Sequence, residues 1–215
     1  MTKLYLDVLD EPRRKVFERL SVFTRLGGVL AGGTAMALQL NHRRSDDFDI
    51  FFPSLITNES RRRLISITEK PINIRLDNSR QLTLSDKNGI KVTLVIHEFP
   101  PLYPVINTVS LPLFHLADLA SNKAFTVGKR GVWRDYVDLF YLLKFKLISL
   151  EQIIKEAEKR FGDQFSAKLF LEQLVYNKDI FDFRIDYIGK KYTPEEVMLF
   201  LEKVEKDYLI KNVLV

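Results

Sequence analysis

Pro100, Pro101, Pro104 and Pro112 divide the chain into two stretches whose hydrophobic residues recur with different periods. Proline has no N–H for a strand ladder or a helix interior, so no long regular element runs through this segment. Before it, short apolar runs alternate with helical spacing; after it, strand signals mostly vanish. The division predicts a mixed α and β domain over residues 1–108 and an all-helical domain over 109–215, an α+β protein.

In the first stretch, Val16, Leu20 and Phe23 recur at helical spacing among charged residues, and Pro12 suits a first turn. The spacing predicts a helix from Glu11 to Leu26, stopped by Gly27 and Gly28. Val29-Leu30-Ala31 reads as a short buried strand, broken by Gly32-Gly33 before a short helix from Thr34 to Leu40. From Asp47 to Ile50 acid and apolar residues alternate, as in a strand with two unlike faces, and Pro53 ends the run. Arg61–Ile67 predicts a helix and Ile72–Leu76 a strand; Gln81–Ser85 and Ile90–Ile96 form a hairpin about Asp86-Lys87-Asn88-Gly89. A sheet of four or five strands follows.

Beyond the prolines, Phe114–Val127 and Trp133–Phe145 carry apolar stripes. Ser149 with Gln152 makes a capping box for a third helix that Gly162 closes, and 163–176 predicts a fourth. Thr193-Pro194-Glu195-Glu196 opens a last helix whose Val197, Leu201, Val204 and Tyr208 share a face.

Composition excludes several kinds of chemistry. Cysteine is absent, so no disulfide framework, thiolate metal site or cysteine nucleophile exists, and three histidines argue against a multi-histidine metal site. No apolar run is long enough to span a membrane. Met1-Thr2-Lys3-Leu4-Tyr5-Leu6-Asp7 has an acid where a signal peptide has an apolar core, so a soluble, cytoplasmic protein with no membrane partner is expected. A formal charge of +5 and a pI near 9.3 favour phosphate-bearing partners.

One constellation stands out. Residues i and i+2 of a strand point the same way, so Asp47 and Asp49 present both carboxylates on one face while Phe48 and Ile50 face the other. Paired carboxylates repel unless a cation lies between them, and a hard divalent ion such as Mg²⁺ (or Mn²⁺) matches their oxygens. Gly32-Gly33 at a helix start leaves backbone N–H groups open to an anion, with Thr34 adding a hydroxyl. Together they suit metal-assisted attack on a nucleoside triphosphate.

These residues resemble a known family. Leu30-Ala31-Gly32-Gly33-Thr34-Ala35 with His42-Arg43-Arg44-Ser45-Asp46-Asp47-Phe48-Asp49-Ile50-Phe51 is similar to the AbiEii/AbiGii-type nucleotidyltransferase toxins, within the polymerase-β-like superfamily. Leu116–Lys123 and Arg134-Asp135-Tyr136-Val137-Asp138-Leu139 resemble the family's second motif, a lysine on one helix and an Arg-Asp-x-x-Asp-Leu pattern on the next. The resemblance implies a polymerase-β-like mixed sheet with flanking helices, followed by a helical domain. It implies Asp47 and Asp49 as metal-binding acids, with Lys123 and Asp138 catalytic. Gly32, Gly33, Thr34, Ser45 and Lys123 would then hold the nucleotide. Bottom-up, Lys123 is either an ammonium offsetting charge on a leaving pyrophosphate or a solvated surface lysine, and Arg134 with Asp138 an i,i+4 brace.

The chain departs from the pattern at one position. Superfamily members generally carry a third carboxylate on a later strand, where this sequence has Thr93, which cannot accept a proton at neutral pH. His97 lies on the same strand face and Glu98 on the other; His97 is either a substitute base or a strand-end residue facing solvent. Arg61-Arg62-Arg63 is either a phosphate grip or a solvated helix end.

The expected activity is transfer of a nucleoside monophosphate from an NTP to an RNA, tRNA or protein hydroxyl, with toxin-like effect and a cognate antitoxin. The alternatives are a small-molecule nucleotidyltransferase and a degenerate module that binds nucleotide, RNA or a partner without turnover.

Overall fold

The computed structural model describes residues 3–212; the first two residues of the Met1–Asp7 segment lie outside it. The chain divides between His115 and Leu116 into two compact units.

In the first unit, helix α1 (Glu11–Arg19) starts on Asp10, whose carboxylate accepts the Arg13 N–H at 2.9 Å. The helix expected to reach Leu26 instead tightens into a 3₁₀ turn over Leu20–Leu26. Three residues per turn stack Leu20 and Phe23 on one side, and both are fully buried. Gly27 then stops the turn with a φ of 75°.

Strand β1 (Val29–Ala31), helix α2 (Gly32–Leu40), strand β2 (Phe48–Phe52), helix α3 (Asn58–Ile67) and strands β3 (Asn73–Asp77), β4 (Gln81–Ser85) and β5 (Lys91–Ile96) follow. They build one sheet in the order β1-β2-β5-β4-β3. Only β2 and β5 run parallel. The hairpin joining β4 to β5 closes as its residues require: the Asp86 carboxylate accepts N–H groups of Asn88 and Ile90, and Gly89 sits at φ 75°.

Register gives the sheet two unlike faces. Leu30, Ile50, Leu94 and Leu82 lie opposite one another across four strands, and Phe48, Val92 and Leu84 form the next row. All seven are buried, each worth roughly 1.5–3 kcal/mol against exposure. Phe17, Met36 and Leu64, one from each helix, are also fully buried, and Phe23 meets the Phe52 ring edge-on at 5.8 Å.

The prolines do not end this unit. Leu30 N–H donates to Pro112 O at 2.8 Å and Phe114 N–H to Leu30 O at 3.0 Å, so residues 112–114 cover the free edge of β1. The unit therefore extends past the boundary near residue 108 that proline spacing predicts.

The second unit contains α4 (Leu116–Val127), α5 (Trp133–Lys144), α6 (Leu150–Phe161), α7 (Ala167–Leu174) and α8 (Pro194–Asn212). Ser149 Oγ accepts the Gln152 N–H at 3.1 Å, and Thr193 and Glu196 bond reciprocally, so both expected caps form. The helix expected over 163–176 is shorter, because Ser166 Oγ accepts the Leu169 N–H and restarts the chain after a 3₁₀ turn. Val197 and Leu201 are fully buried while Val204 and Tyr208 are half-buried, so only the first turns of α8 reach the core. Trp133 is core, 5.0 Å from the Phe183 ring. A buried ion pair joins α4 to α6: Arg160 Nη1 lies 3.3 Å from Asp118 Oδ1, and donates to Asp118 O at 2.9 Å and Ser121 Oγ at 3.1 Å. Burial draws the Arg160 guanidinium down to about 10, opposed by the Asp118 charge. Among the described residues no helix is long and apolar enough to cross a membrane.

Candidate active site

The sheet face opposite the apolar one carries the polar groups. Ala31 lies opposite Asp49, Asp49 opposite Thr93 and Thr93 opposite Thr83, a row crossing β1, β2, β5 and β4. Asp47 stands one residue before β2 rather than within it. Both aspartates are half-buried, whereas Phe48 and Ile50 between and beyond them are fully buried on the other side. The alternation read from the sequence thus places the two carboxylates on one face.

Helix α2 begins on the two glycines instead of after them. Gly32 sits at φ 67°, and a Cβ there would lie 2.5 Å from Asp49 Oδ2. The missing side chain is what leaves room for that carboxylate oxygen. Alanine at Gly32 meets both the left-handed backbone and this clash, so Gly32→Ala is expected to cost about 1–3 kcal/mol of stability. Urea unfolding measures it; an unchanged midpoint would mean that the turn relaxes freely. A Cβ on Gly33 would lie 2.5 Å from Arg43 Nη2, so this glycine admits the guanidinium of a buried arginine that also donates to Arg44 O at 3.0 Å. The N-cap residue Ala31 offers no side-chain acceptor to the first-turn N–H groups.

Thr34 and Ser45 are placed differently from the expectation. Thr34 Oγ1 donates to Asp47 O, and its oxygen lies 2.7 Å from Ser45 Oγ. With the threonine proton committed, Ser45 must donate to Thr34. Both residues are buried, so their hydroxyl protons are consumed in fixing the backbone that carries Asp47 and are not offered to a phosphate.

Strand β5 brings a residue to this face that sequence reasoning missed. Lys91 Nζ lies 2.6 Å from Asp47 Oδ2, with both side chains about one-third exposed, at 33% and 28%. Parity could have nominated Lys91, but only strand pairing shows which residue it meets. Thr93 occupies the place of the third acid, buried and 3.4 Å from the Thr83 hydroxyl. Among the described residues no three acidic or histidine side chains cluster as a metal site.

His97 does not take over from the missing acid. It lies four residues beyond Thr93, about 13 Å along an extended strand. Its half-buried ring packs 4.5 Å from Phe51 and 5.6 Å from Phe114, bordering a cleft of about 580 Å³ lined also by Pro53, Leu55 and Pro100. Glu98 pairs with Arg80 at 2.5 Å. Arg61 binds Asp77 and two backbone carbonyls, and Arg63 binds Glu59 and Val22 O, so these two arginines brace α3.

In the helical unit, Lys123 is not the solvated lysine its chemistry alone suggests. It is 8% exposed, and its Nζ lies 2.5 Å from Asp135 Oδ1 and 2.6 Å from Asp138 Oδ2. Asp138 is fully buried and Asp135 nearly so, with Asp135 Oδ2 lacking a hydrogen-bond partner among the described residues. One ammonium therefore holds two carboxylates from the next helix.

The model of the nucleotidyl transferase AbiEii toxin family, a type IV toxin–antitoxin system, matches residues 17–196. The chain belongs to this family. An uncharacterized protein, aq_aa25, of Aquifex aeolicus strain VF5 is 30% identical over 185 residues, 84% of this chain and 87% of the relative. Similar solved structures confirm the fold of this family member. MenT4, the nucleotidyltransferase toxin Rv2826c of Mycobacterium tuberculosis H37Rv, superposes with a TM-score of 0.56 at 14% identity, covering 91% of this chain and 84% of its own. A putative nucleotidyltransferase of Helicobacter pylori gives 0.55 at 19% identity, covering 95% and 99%. JHP933 of H. pylori gives 0.54 at 16% identity, covering 97% and 96%. The α+β class with a mixed five-stranded sheet agrees with this family.

Proposed function

We propose that this family member transfers a nucleoside monophosphate from an NTP to a hydroxyl of RNA, tRNA among the candidates, and so arrests growth. The acceptor oxygen bonds to the α-phosphorus, the bond from that phosphorus to the bridging oxygen breaks, pyrophosphate leaves and the hydroxyl proton passes to solvent. The observation that carries this is the half-buried Asp47 and Asp49 pair on one face, with Asp49 Oδ2 lying against the side-chain-free Gly32. Two hard oxygen donors beside a side-chain-free turn fit one Mg²⁺ or Mn²⁺. When bound, such an ion would neutralise phosphoryl charge. Gly32 and Gly33 would direct N–H groups at the phosphates, and Thr34 with Ser45 would hold Asp47 in place. The +5 charge suits a polyanionic acceptor. A cognate antitoxin is the partner that the family's type IV system implies.

Thr93 favours a second reading, a member that binds nucleotide without turnover. Incubation with each labelled NTP, Mg²⁺ and total bacterial RNA separates the two. Label in an RNA band, absent from Asp49→Asn, is the expected result. Label persisting in that variant removes the proposed site, and NTP binding with no transfer supports the second reading.

A further inference from the structure

We propose that Lys91 is the resident counter-ion of the carboxylate pair, a positioning residue whose ammonium holds Asp47 and competes with a divalent cation for it. The proposal rests on the reading that Asp47 and Asp49 take such a cation.

Strand register explains why Lys91 is there. Phe48 lies opposite Val92 in the parallel β2–β5 ladder, so the residues before them, Asp47 and Lys91, share the next place along the face. The 2.6 Å contact is the result. Both side chains are about two-thirds removed from solvent, so the pair is less screened than an ordinary surface ion pair.

Charge then sets the behaviour of the face. Lys91 offsets the charge of Asp47, and Thr93 brings none where a third acid would stand. A cation arriving alone meets an Asp47 oxygen already bound to an ammonium. It must displace Lys91 from Asp47, so the free ion binds weakly. The displaced ammonium has an acceptor within the same face: Ser85, directly opposite Lys91 in the β4–β5 ladder. Its hydroxyl is buried and has no hydrogen-bond partner among the described residues. The phosphates of a nucleotide entering with the ion offer a second acceptor. The site is thereby biased against free metal and toward metal that arrives with its nucleotide.

The test is titration of the full chain with Mn²⁺ alone, followed by loss of the free-ion electron paramagnetic resonance signal. Removing a unit positive charge close to the ion is expected to tighten binding on the order of tenfold in Lys91→Met. Lys91→Arg, which keeps the charge, is expected to stay near wild type. Asp49→Asn is expected to weaken binding in both the wild-type and Lys91→Met backgrounds, with circular dichroism confirming that each variant is folded. If Lys91→Met binds no tighter while Asp49→Asn still weakens binding, the role of Lys91 is overturned and the carboxylate site stands. If Lys91→Arg tightens binding as much as Lys91→Met, the effect is not one of charge and the proposal also fails. If neither wild type nor Lys91→Met takes up Mn²⁺, the metal reading falls, and this proposal with it.

Discussion

Asparagine in place of Asp49 is expected to lower nucleotidyl transfer by at least about a thousandfold, equivalent to roughly 4 kcal/mol of lost transition-state stabilisation. The substitution keeps the shape of the side chain that lies against Gly32, so the turn at the start of α2 has no reason to move. It removes the charge of one of the two paired carboxylates. What remains is Asp47, whose Oδ2 is engaged by Lys91, and the neutral Thr93 and Thr83. No group on the row can replace the lost carboxylate, because a threonine hydroxyl is uncharged and a weak cation ligand beside a carboxylate. Single-turnover transfer with saturating NTP measures the effect, and a thermal midpoint within about 2 °C of wild type shows that only the charge has changed. Retention of more than a tenth of the wild-type rate would mean that the chemistry lies elsewhere.

Legibility in the sequence followed the range of the physics involved. Local rules did well. Strand parity put Asp47 and Asp49 on one face, the Asp86–Gly89 turn fixed a hairpin, and Ser149 and Thr193 marked helix starts, since each depends on residues within four positions. The boundaries of β1 and β4 were readable for the same reason. Features set by distant partners were not. The Leu20–Leu26 segment carries a pattern that α-helical and 3₁₀ winding both satisfy, and burial of Leu20 with Phe23 decides between them. The return of 112–114 to β1 is a backbone pairing without a side-chain signature. Within the candidate site, the Asp–x–Asp and Gly-Gly motifs were visible as residue types, but Lys91 was hidden because register between β2 and β5 is not written in either strand. Thr34 looked like a phosphate donor because its bond to Asp47 O spans a loop. Lys123 and Asp138 were suggested by resemblance alone, since a single lysine on a helix is by default solvated.

That burial makes Lys123 the site of the largest expected loss of stability. Lys123→Met removes an ammonium bonded to Asp135 and Asp138, two carboxylates of α5 that are 5% and 0% exposed. Stripping one partner from a buried ionic group leaves uncompensated charge, which costs about 3–5 kcal/mol. Here two carboxylates lose the same bonded ammonium. For a helical unit of this size, each kcal/mol corresponds to roughly 4–8 °C in melting temperature, so a loss on the order of 15 °C or more in the transition of that unit is expected by calorimetry. A charge-matched control separates electrostatics from packing. Adding Asp135→Asn and Asp138→Asn to Lys123→Met removes all three charges and is expected to recover at least half of the loss, because neutral amides are far cheaper to bury than carboxylates. A Lys123→Met variant that melts within about 3 °C of wild type would show that the two carboxylates do not depend on this counter-ion. The same thermodynamics constrains any assay of Lys123 in catalysis. An inactive Lys123→Met protein identifies a phosphate-contacting lysine only if the helical unit is still folded at the assay temperature. Lys123→Arg, which preserves the positive charge between the carboxylates, is therefore the variant in which a loss of transfer reports on the phosphate contact.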